Sequence, residues 1–210
     1  MKNIAAIHRA LKKAYNEKRA PIMDLVAAQT RDPFRILVGT ILSARTQDAT
    51  TAAAVEKLFA RVKTPAQLAA LSEKEIEALI FPVGFFHTKA KMLKQLPVVL
   101  EEKFNGAIPD DIDDLCTLPG VGRKTANLVR ALAFHKPAIC VDVHVHRISN
   151  RLGLVQTKTP LETEMALREH LPKKYWMDWN SFLVAFGQTR CRPVRPKCEG
   201  CPIARYCPAK

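Results

Sequence analysis

The stretch of sequence that decides the fold runs from residue 118 to residue 129 and reads LPGVGRKTANLV. Gly120 and Gly122 lie one residue apart, and glycine reaches backbone torsions that side chains forbid, so we expect a sharp turn. From Arg123 onward, apolar residues recur at helical spacing. The pattern predicts a tight loop leading into a helix N-terminus, where bare amides and the helix dipole favour an anion such as phosphate.

The overall charge of the chain agrees with a polyanionic partner. Among 210 residues, 33 are lysine or arginine and 20 are aspartate or glutamate, which gives a formal net charge of +13. Such a chain attracts polyanions in a salt-dependent way. No apolar run reaches the roughly 18 residues of a membrane span, and the first residues lack the apolar block of a signal peptide. We therefore expect no membrane contact and a cytoplasmic, nucleoid-associated location.

Helix signals occur along most of the chain. Asp32-Pro33, Thr64-Pro65 and Thr159-Pro160 each place a capping oxygen before a proline at the first helical position. Apolar stripes at helical spacing follow these starts, and a hydrophobic content of 48% is enough for a substantial core. The sequence predicts an all-α fold.

Two stretches do not fit a regular helix pattern. Pro97 lies inside an otherwise helical stretch, where it predicts a kink or a break. Residues 138–146, AICVDVHVH, alternate like a strand, although nothing else in the chain alternates for long enough to pair with them. We interpret this alternation as misleading.

Four of the six cysteines crowd the last twenty residues with the spacing C-x6-C-x2-C-x5-C. They are Cys191, Cys198, Cys201 and Cys207. A reducing compartment disfavours disulfides, and four thiolates suit either a zinc ion or a [4Fe–4S] cluster. The spacing alone does not choose between these two groups. The remaining pair, Cys116 and Cys140, is interpreted as two buried small hydrophobic residues.

Residues 192–197, RPVRPK, form a short basic segment that we call the tail loop. Its two prolines forbid a helix and stiffen a loop that carries Arg192, Arg195 and Lys197. These cations could simply be a solvated face. We favour contact with DNA phosphate, because a stiff loop loses its conformational entropy on folding and not on binding.

The motifs together resemble the endonuclease III family. Five stretches carry the resemblance, in this order along the chain: ILSARTQD (41–48), VGFFHTKAKML (83–93), LPGVGRKTANLV (118–129), VDVHVHRISNRLGL (141–154) and the four-cysteine tail. That family comprises iron–sulfur DNA glycosylases with an associated abasic-site lyase activity, built on a helix-hairpin-helix motif. The resemblance implies a [4Fe–4S] cluster on the four cysteines.

The resemblance also implies the domain organisation and the partner. We expect a six-helix domain at 27–135 that contains the hairpin, and a second helical domain made of 1–26 plus 136–210 that holds the cluster. In the family, DNA lies in the cleft between the two domains. The expected partner is double-stranded DNA containing damaged bases or abasic sites, bound by a monomer.

Two catalytic residues are implied, Lys124 and Asp142. For Lys124, a helix dipole and partial burial would both disfavour the ammonium form, and a neutral amine could attack C1′ and form a Schiff base. Without the family, Lys124 would be read as one more phosphate-binding lysine. Asp142 would stabilise positive charge on the sugar and serve proton transfers, and it is also a good helix N-cap.

Further DNA contacts are implied by the same resemblance. Arg45 and Phe85 stand in loops that fill the space left by a flipped base, where the family more usually has glutamine and leucine. Phe85 could nearly as well be a core aromatic residue. The other expected contacts are Gly120, Gly122, Arg123, Thr125 and Arg147, whereas we interpret His144 as structural.

The residues by themselves leave three other functions open. A monofunctional mismatch glycosylase would use only the aspartate, and Lys124 argues against it. In a non-catalytic DNA-binding protein the hairpin and cluster would merely grip DNA, and Asp142 argues against that. An electron carrier is disfavoured because no other redox cofactor motif is present.

Overall fold

The helical fold predicted from the sequence is confirmed. The computed structural model describes residues 3–16, 23, 26, 30 and 32–209, and no strand occurs in this part of the chain. Its α-helices include α1 (Ile4–Asn16), α2 (Pro33–Ser43), α3 (Asp48–Arg61), α4 (Pro65–Ala70), α5 (Glu73–Ile80), α6 (Phe86–Phe104), α7 (Ile112–Cys116), α8 (Arg123–Phe134), α9 (Val143–Arg151), α10 (Pro160–His170) and α11 (Trp176–Thr189). Short 3₁₀ turns follow at Lys173–Tyr175 and Ala204–Tyr206. None of these described helices is both long and apolar enough to cross a bilayer.

The chain divides into two compact units. The first comprises Met1–Pro21 and Lys136–Lys210, and the second comprises Ile22–His135. The boundary expected at residues 26 and 27 falls in a segment most of which lies outside the described residues, where the described Met23 and Val26 pack with the buried Ile36 of α2. Within the second unit, α4 and α7 are short separate helices of six and five residues.

The predicted helix starts are confirmed in atomic detail. The Asp32 carboxylate accepts from the Phe34 amide at 3.0 Å, and the Thr64 hydroxyl accepts from the Gln67 amide at 3.2 Å. At α5, Ser72 and Glu75 form a complete capping box. Each cap satisfies an amide that has no partner within its own helix.

Of the kink or break expected at Pro97, the break does not occur. Helix α6 continues from Phe86 to Phe104 with Pro97 inside it. Pro97 is buried beside the apolar stripe formed by Leu93, Leu96 and Leu100. Burial of that stripe in the core of the second unit outweighs the one intrahelical hydrogen bond that proline removes.

The alternation at 138–146 is misleading, as predicted. The chain is irregular until α9 begins at Val143. Four successive residues, Ala138 to Val141, are all buried. The segment thus enters the core of the first unit, in which helix α11 buries Trp176, Trp179, Phe182, Leu183 and Phe186.

Candidate active site and DNA interface

The hairpin lies in the second unit and connects α7 to α8. The Asp111 carboxylate caps α7 by accepting from the amides of Asp113 and Asp114. In the loop that follows, Gly120 has a φ of +77°, a left-handed conformation that disfavours any side chain. A Cβ at this position would lie 3.0 Å from the Met92 sulfur. The hairpin itself therefore favours glycine at position 120.

The second glycine of the motif has a different role. Gly122 has φ −93° and ψ 173°, an extended conformation that any residue adopts. A Cβ on Gly122 would meet no described atom within 4 Å. The expectation that both glycines provide unusual torsions is wrong for Gly122. Its missing side chain leaves open space at the surface, where a ligand can approach the backbone closely.

Helix α8 presents its N-terminus next to this open space. Among the described residues, no side chain forms a capping hydrogen bond at Gly122, which suits the binding of an anion by the first amides of the helix. Lys124 is exposed, so the expected partial burial is not observed. Arg123 lies 3.5 Å from an oxygen of the exposed Asp113, and Thr125 is half-buried.

Arg45 and Phe85 lie side by side at the tips of two loops of the second unit. The Arg45 guanidinium carbon is 5.4 Å from the centroid of the Phe85 ring. Phe85 is 61% exposed, which rules out the alternative that it is a core aromatic residue. Both residues have left-handed backbones, with φ of 53° and 58°. The structure thus gathers the two predicted DNA-contact residues into one exposed pair.

Sequence reasoning missed Lys89, which lies beneath this pair. Its side chain donates hydrogen bonds to the carbonyl oxygens of Leu42 (2.8 Å) and Ala44 (2.6 Å). A third bond reaches the Thr46 hydroxyl at 3.2 Å. Burial lowers the pKa of Lys89 to about 8. The available signal was its spacing, since Lys89 falls in phase with the buried leucines of α6.

Asp142 lies in the first unit and caps α9. One oxygen of its carboxylate, Oδ1, accepts from the amides of His144 at 2.8 Å and Val145 at 2.9 Å. The prediction that Asp142 serves as a helix N-cap is therefore confirmed. Two amides hold the half-buried carboxylate in a fixed orientation, so its position is set by the start of α9.

Arg147, one helical turn further along α9, contacts the cysteine tail. Its guanidinium donates to the carbonyl oxygen of Cys191 at 2.8 Å and to Nδ1 of His144 at 3.0 Å. Burial lowers the pKa of Arg147. These contacts give His144 the structural role that was expected. Contact between Arg147 and phosphate stays a prediction, because the structure directs this side chain toward protein.

Arg151, at the end of α9, also escaped the sequence analysis. It donates to the carbonyl oxygens of Arg192 at 2.7 Å and Pro193 at 2.8 Å. Arg190, directly after α11, donates to the carbonyl oxygen of Glu199 at 2.9 Å. These two arginines thus bind backbone at the start of the tail loop and two residues beyond its end. The side chains of Arg192, Arg195 and Lys197 are left exposed.

All four tail cysteines line one cavity in the first unit, together with Arg151, Arg190 and several apolar residues. Arg151 donates to Cys191 Sγ at 3.4 Å, and Cys207 Sγ donates to the Arg151 carbonyl at 3.4 Å. Burial raises the pKa of the Cys201 thiol, whereas nearby Arg190 opposes that shift. Within the described residues, no three His, Cys, Asp or Glu side chains are placed to hold a single metal ion. Four thiols beside Arg151, Arg190 and Lys197 at one cavity fit a thiolate-bound cluster.

The chain matches known proteins over most of its length. Residues 38–173 match the HhH-GPD superfamily base excision DNA repair protein. Endonuclease III of Thermotoga maritima is 47% identical over 176 residues, which cover 84% of this chain and 83% of that protein.

Solved structures give the same result. A non-covalent endonuclease III–DNA complex aligns with a TM-score of 0.87 at 34% identity, over 99% of this chain and 95% of that one. A trapped endonuclease III–DNA covalent intermediate aligns with a TM-score of 0.80 at 38% identity, over 86% and 85% of the two chains.

Proposed function

The chain belongs to the endonuclease III family of base excision DNA repair proteins, and we propose that it excises oxidised pyrimidines from double-stranded DNA and cleaves the resulting abasic site. The observation that carries this proposal is the exposed Lys124 in the first turn of α8, directly after the hairpin. A helix start that favours phosphate brings a sugar within reach of a primary amine. We expect one chain to carry out this reaction. Because the substrate is DNA, we expect the protein to be located at the nucleoid.

Lys124 is proposed as the nucleophile. Its neutral amine forms a bond to C1′ as the bond between C1′ and the base breaks. The bond between C1′ and O4′ then breaks, O4′ takes up a proton that the amine releases, and a Schiff base forms. Loss of a proton from C2′ of this Schiff base expels the 3′ phosphate by β-elimination. Lys124 is exposed, so its side chain is accessible to a bound nucleotide.

Asp142 is proposed to support departure of the base. Positive charge builds on the sugar as the base leaves, and a carboxylate in a fixed orientation stabilises it. The two amides that bind Asp142 Oδ1 supply that orientation. The carboxylate also takes part in the proton transfers that follow.

Trapping with borohydride tests the assignment of Lys124, because reduction of a Schiff base links protein and DNA covalently. With a duplex that contains an oxidised pyrimidine, Lys124→Gln should abolish trapping and strand cleavage while duplex binding survives. The exposed Lys91 provides the control, and Lys91→Gln should behave like the wild type. Strand cleavage at the wild-type rate by Lys124→Gln would refute the assignment.

Asp142→Asn tests the second role with little structural cost, since asparagine is itself a good N-cap. This variant should lose excision of the base and keep part of its cleavage of a preformed abasic site, from which the base has already gone. The fraction of helix measured by circular dichroism should stay unchanged. Equal losses on the two substrates would contradict the proposed division of labour.

We also propose that Cys191, Cys198, Cys201 and Cys207 hold a [4Fe–4S] cluster. When bound, the cluster supplies a rigid cross-link between the two ends of the cysteine tail. The purified protein should then be brown, with broad visible absorption and equal contents of iron and sulfide. Cys198→Ser should remove the colour, whereas Cys116→Ser, in the other unit, should keep it. A colourless protein with one zinc ion per chain would overturn this assignment.

The exposed cations of the tail loop are proposed to contact DNA phosphate. Support comes from Arg151 and Arg190, which bind the backbone around the loop and leave its three charged side chains at the surface. A loop held in this way loses little further entropy on binding. The hairpin residues Gly122, Arg123 and Thr125 are proposed to hold one strand through the start of α8.

A further inference from the structure

Lys89 joins the two loops that carry Arg45 and Phe85. It is 6% exposed, and its three hydrogen bonds equal the number of N–H donors on an ammonium group. Two of its acceptors, the carbonyls of Leu42 and Ala44, lie at the end of α2, where carbonyls lack helical partners and a cation is favoured. Lys89 therefore caps the helix from which the Arg45 loop departs.

Thr46 and Gly84 provide a second link between the same loops. The Thr46 hydroxyl accepts from Lys89 Nζ and from the Gly84 amide at 3.3 Å, and donates to the Ala44 carbonyl at 3.2 Å. A Cβ on Gly84 would collide with the carbonyl oxygen of Arg45. The loops are thus in backbone contact that only glycine permits, and Lys89 lies at the centre of their hydrogen bonds.

The tips of the two loops are held in unfavourable conformations. Arg45 and Phe85 both have positive φ, and left-handed backbones persist at such residues only where the surroundings enforce them. Lys89 supplies part of that enforcement for Arg45 through the Ala44 carbonyl. For Phe85, the link runs through Thr46, whose hydroxyl accepts from Lys89 Nζ and from the amide of Gly84, the residue before Phe85.

We propose that Lys89 is a positioning residue that fixes Arg45 and Phe85 as one preformed wedge, which enters the duplex when the damaged nucleotide leaves the stack. The wedge rests on the proposed function, because its ligand is the DNA of that reaction. The free-energy cost of the strained backbone at both tips is incurred during folding, so the wedge is not reorganised during catalysis. Without Lys89 the two tips separate, and base excision slows although the hairpin and the tail loop still bind DNA.

The helix offers a matched control for this lysine. Lys94, also on α6, donates to the carbonyl oxygens of Ala69 at 2.6 Å and Leu71 at 2.7 Å, where α4 ends. Lys89→Met and Lys94→Met therefore remove the same kind of helix cap at two places. Only the first of these lies beneath Arg45 and Phe85.

Hydrogen exchange tests the links that Lys89 makes between the two loops in the absence of DNA, and so independently of the proposed function. The Gly84 amide, bonded to Thr46, should be protected in the wild type and in Lys94→Met and should lose its protection in Lys89→Met. Thr46→Val should also expose it. Unchanged protection of Gly84 in Lys89→Met would overturn the proposal even if the protein proves to be an active glycosylase.

The rate of base excision under single-turnover conditions tests how the loss of Lys89 affects the reaction. Lys89→Met should slow base removal about 10- to 100-fold, as expected when a reacting group is displaced by about 1 Å, while affinity for undamaged duplex and the rate with Lys94→Met stay near wild type. If Lys89→Met fails to fold, Thr46→Val should show a smaller loss in the same direction. Absence of excision by the wild type would refute the proposed function and leave the exchange result standing.

A double-mutant cycle separates positioning from general stability. In a background of Arg45→Ala with Phe85→Ala, adding Lys89→Met should change the excision rate by no more than about twofold, because the groups that Lys89 positions are gone. An undiminished further loss in that background would show that Lys89 acts elsewhere and would overturn the proposal.

Discussion

Separate replacement of the two hairpin glycines by alanine distinguishes what the fold needs from what DNA needs. At Gly120, with φ +77°, a left-handed alanine costs about 1–2 kcal/mol. The added Cβ also lies 3.0 Å from the Met92 sulfur, and this flexible side chain can move slightly. We therefore expect Gly120→Ala to lower the free energy of unfolding by about 1–2 kcal/mol, or about 2–8 °C in melting temperature for a chain of this size.

Gly122→Ala should leave stability nearly unchanged. A less flexible unfolded chain contributes about 0.4–1 kcal/mol in favour of alanine. The poorer N-cap preference of alanine opposes this by about 0.5–1 kcal/mol. With φ −93° and no described atom within 4 Å of the new Cβ, no further cost arises from the protein. The two effects cancel to within about 0.5 kcal/mol.

Unlike stability, DNA binding should be sensitive to Gly122→Ala. The methyl group of Gly122→Ala enters the space where the proposed strand lies against the hairpin, so affinity for duplex should fall about tenfold or more, equivalent to about 1.4 kcal/mol. Chemical denaturation and fluorescence anisotropy with a labelled duplex, measured on both variants, check the pair of predictions. A stable Gly122→Ala variant with wild-type affinity would refute the proposed approach of DNA to the hairpin backbone.

Further predictions concern the tail loop, the wedge and two caps. Neutralising the three cations of the tail loop should weaken binding to all sequences and flatten the salt dependence of binding by up to about 0.9 for each phosphate that the loop no longer neutralises, and an unchanged slope would indicate a solvated face. The Arg45 guanidinium carries donors only, and guanine offers two acceptors. Excision should therefore be faster opposite guanine than opposite adenine, and Arg45→Gln should remove that preference in a panel of four opposite bases. Folding lowers the pKa of Lys89 from 10.5 to about 8. Between these pH values the unfolded chain binds more protons than the folded chain, so the free energy of unfolding should rise with pH. Lys89→Met should flatten this rise relative to Lys94→Met. Ser72→Ala should cost about 0.5–2 kcal/mol in urea denaturation without changing excision, whereas a loss below about 0.3 kcal/mol would contradict the capping box seen at α5.

Local sequence signals determined the helices and most of their starts. A cap such as Asp32 or Ser72 acts on amides two or three residues away, so short motifs contain all of the interacting groups. The α9 cap formed by Asp142 follows the same rule. The grouping of the four cysteines could be expected for a similar reason, because the three intervals between them are short enough to bring the thiols to one place.

Tertiary structure decided several points against local rules. Pro97 stays inside α6 because the core buries the helix face on which it lies. Gly120 and Gly122 look alike in the sequence, yet only Gly120 has a left-handed backbone. The start of α8 was predicted correctly, yet Lys124 beside it is exposed and not partly buried as expected. Each outcome depends on neighbours from other segments, which no local pattern specifies.

The cationic side chains that hold loops in place could not be assigned from the sequence at all. Lys89 binds carbonyls of residues 42 and 44, and Arg151 binds carbonyls of residues 192 and 193. Every residue carries a backbone carbonyl, so the acceptor leaves no mark in the sequence. A long flexible side chain selects its partner only after packing has brought one helix end or one loop within its reach. Sequence alone therefore determined the helices, the caps and the residue types of the site, and the folded chain decided which lysines and arginines hold that site together.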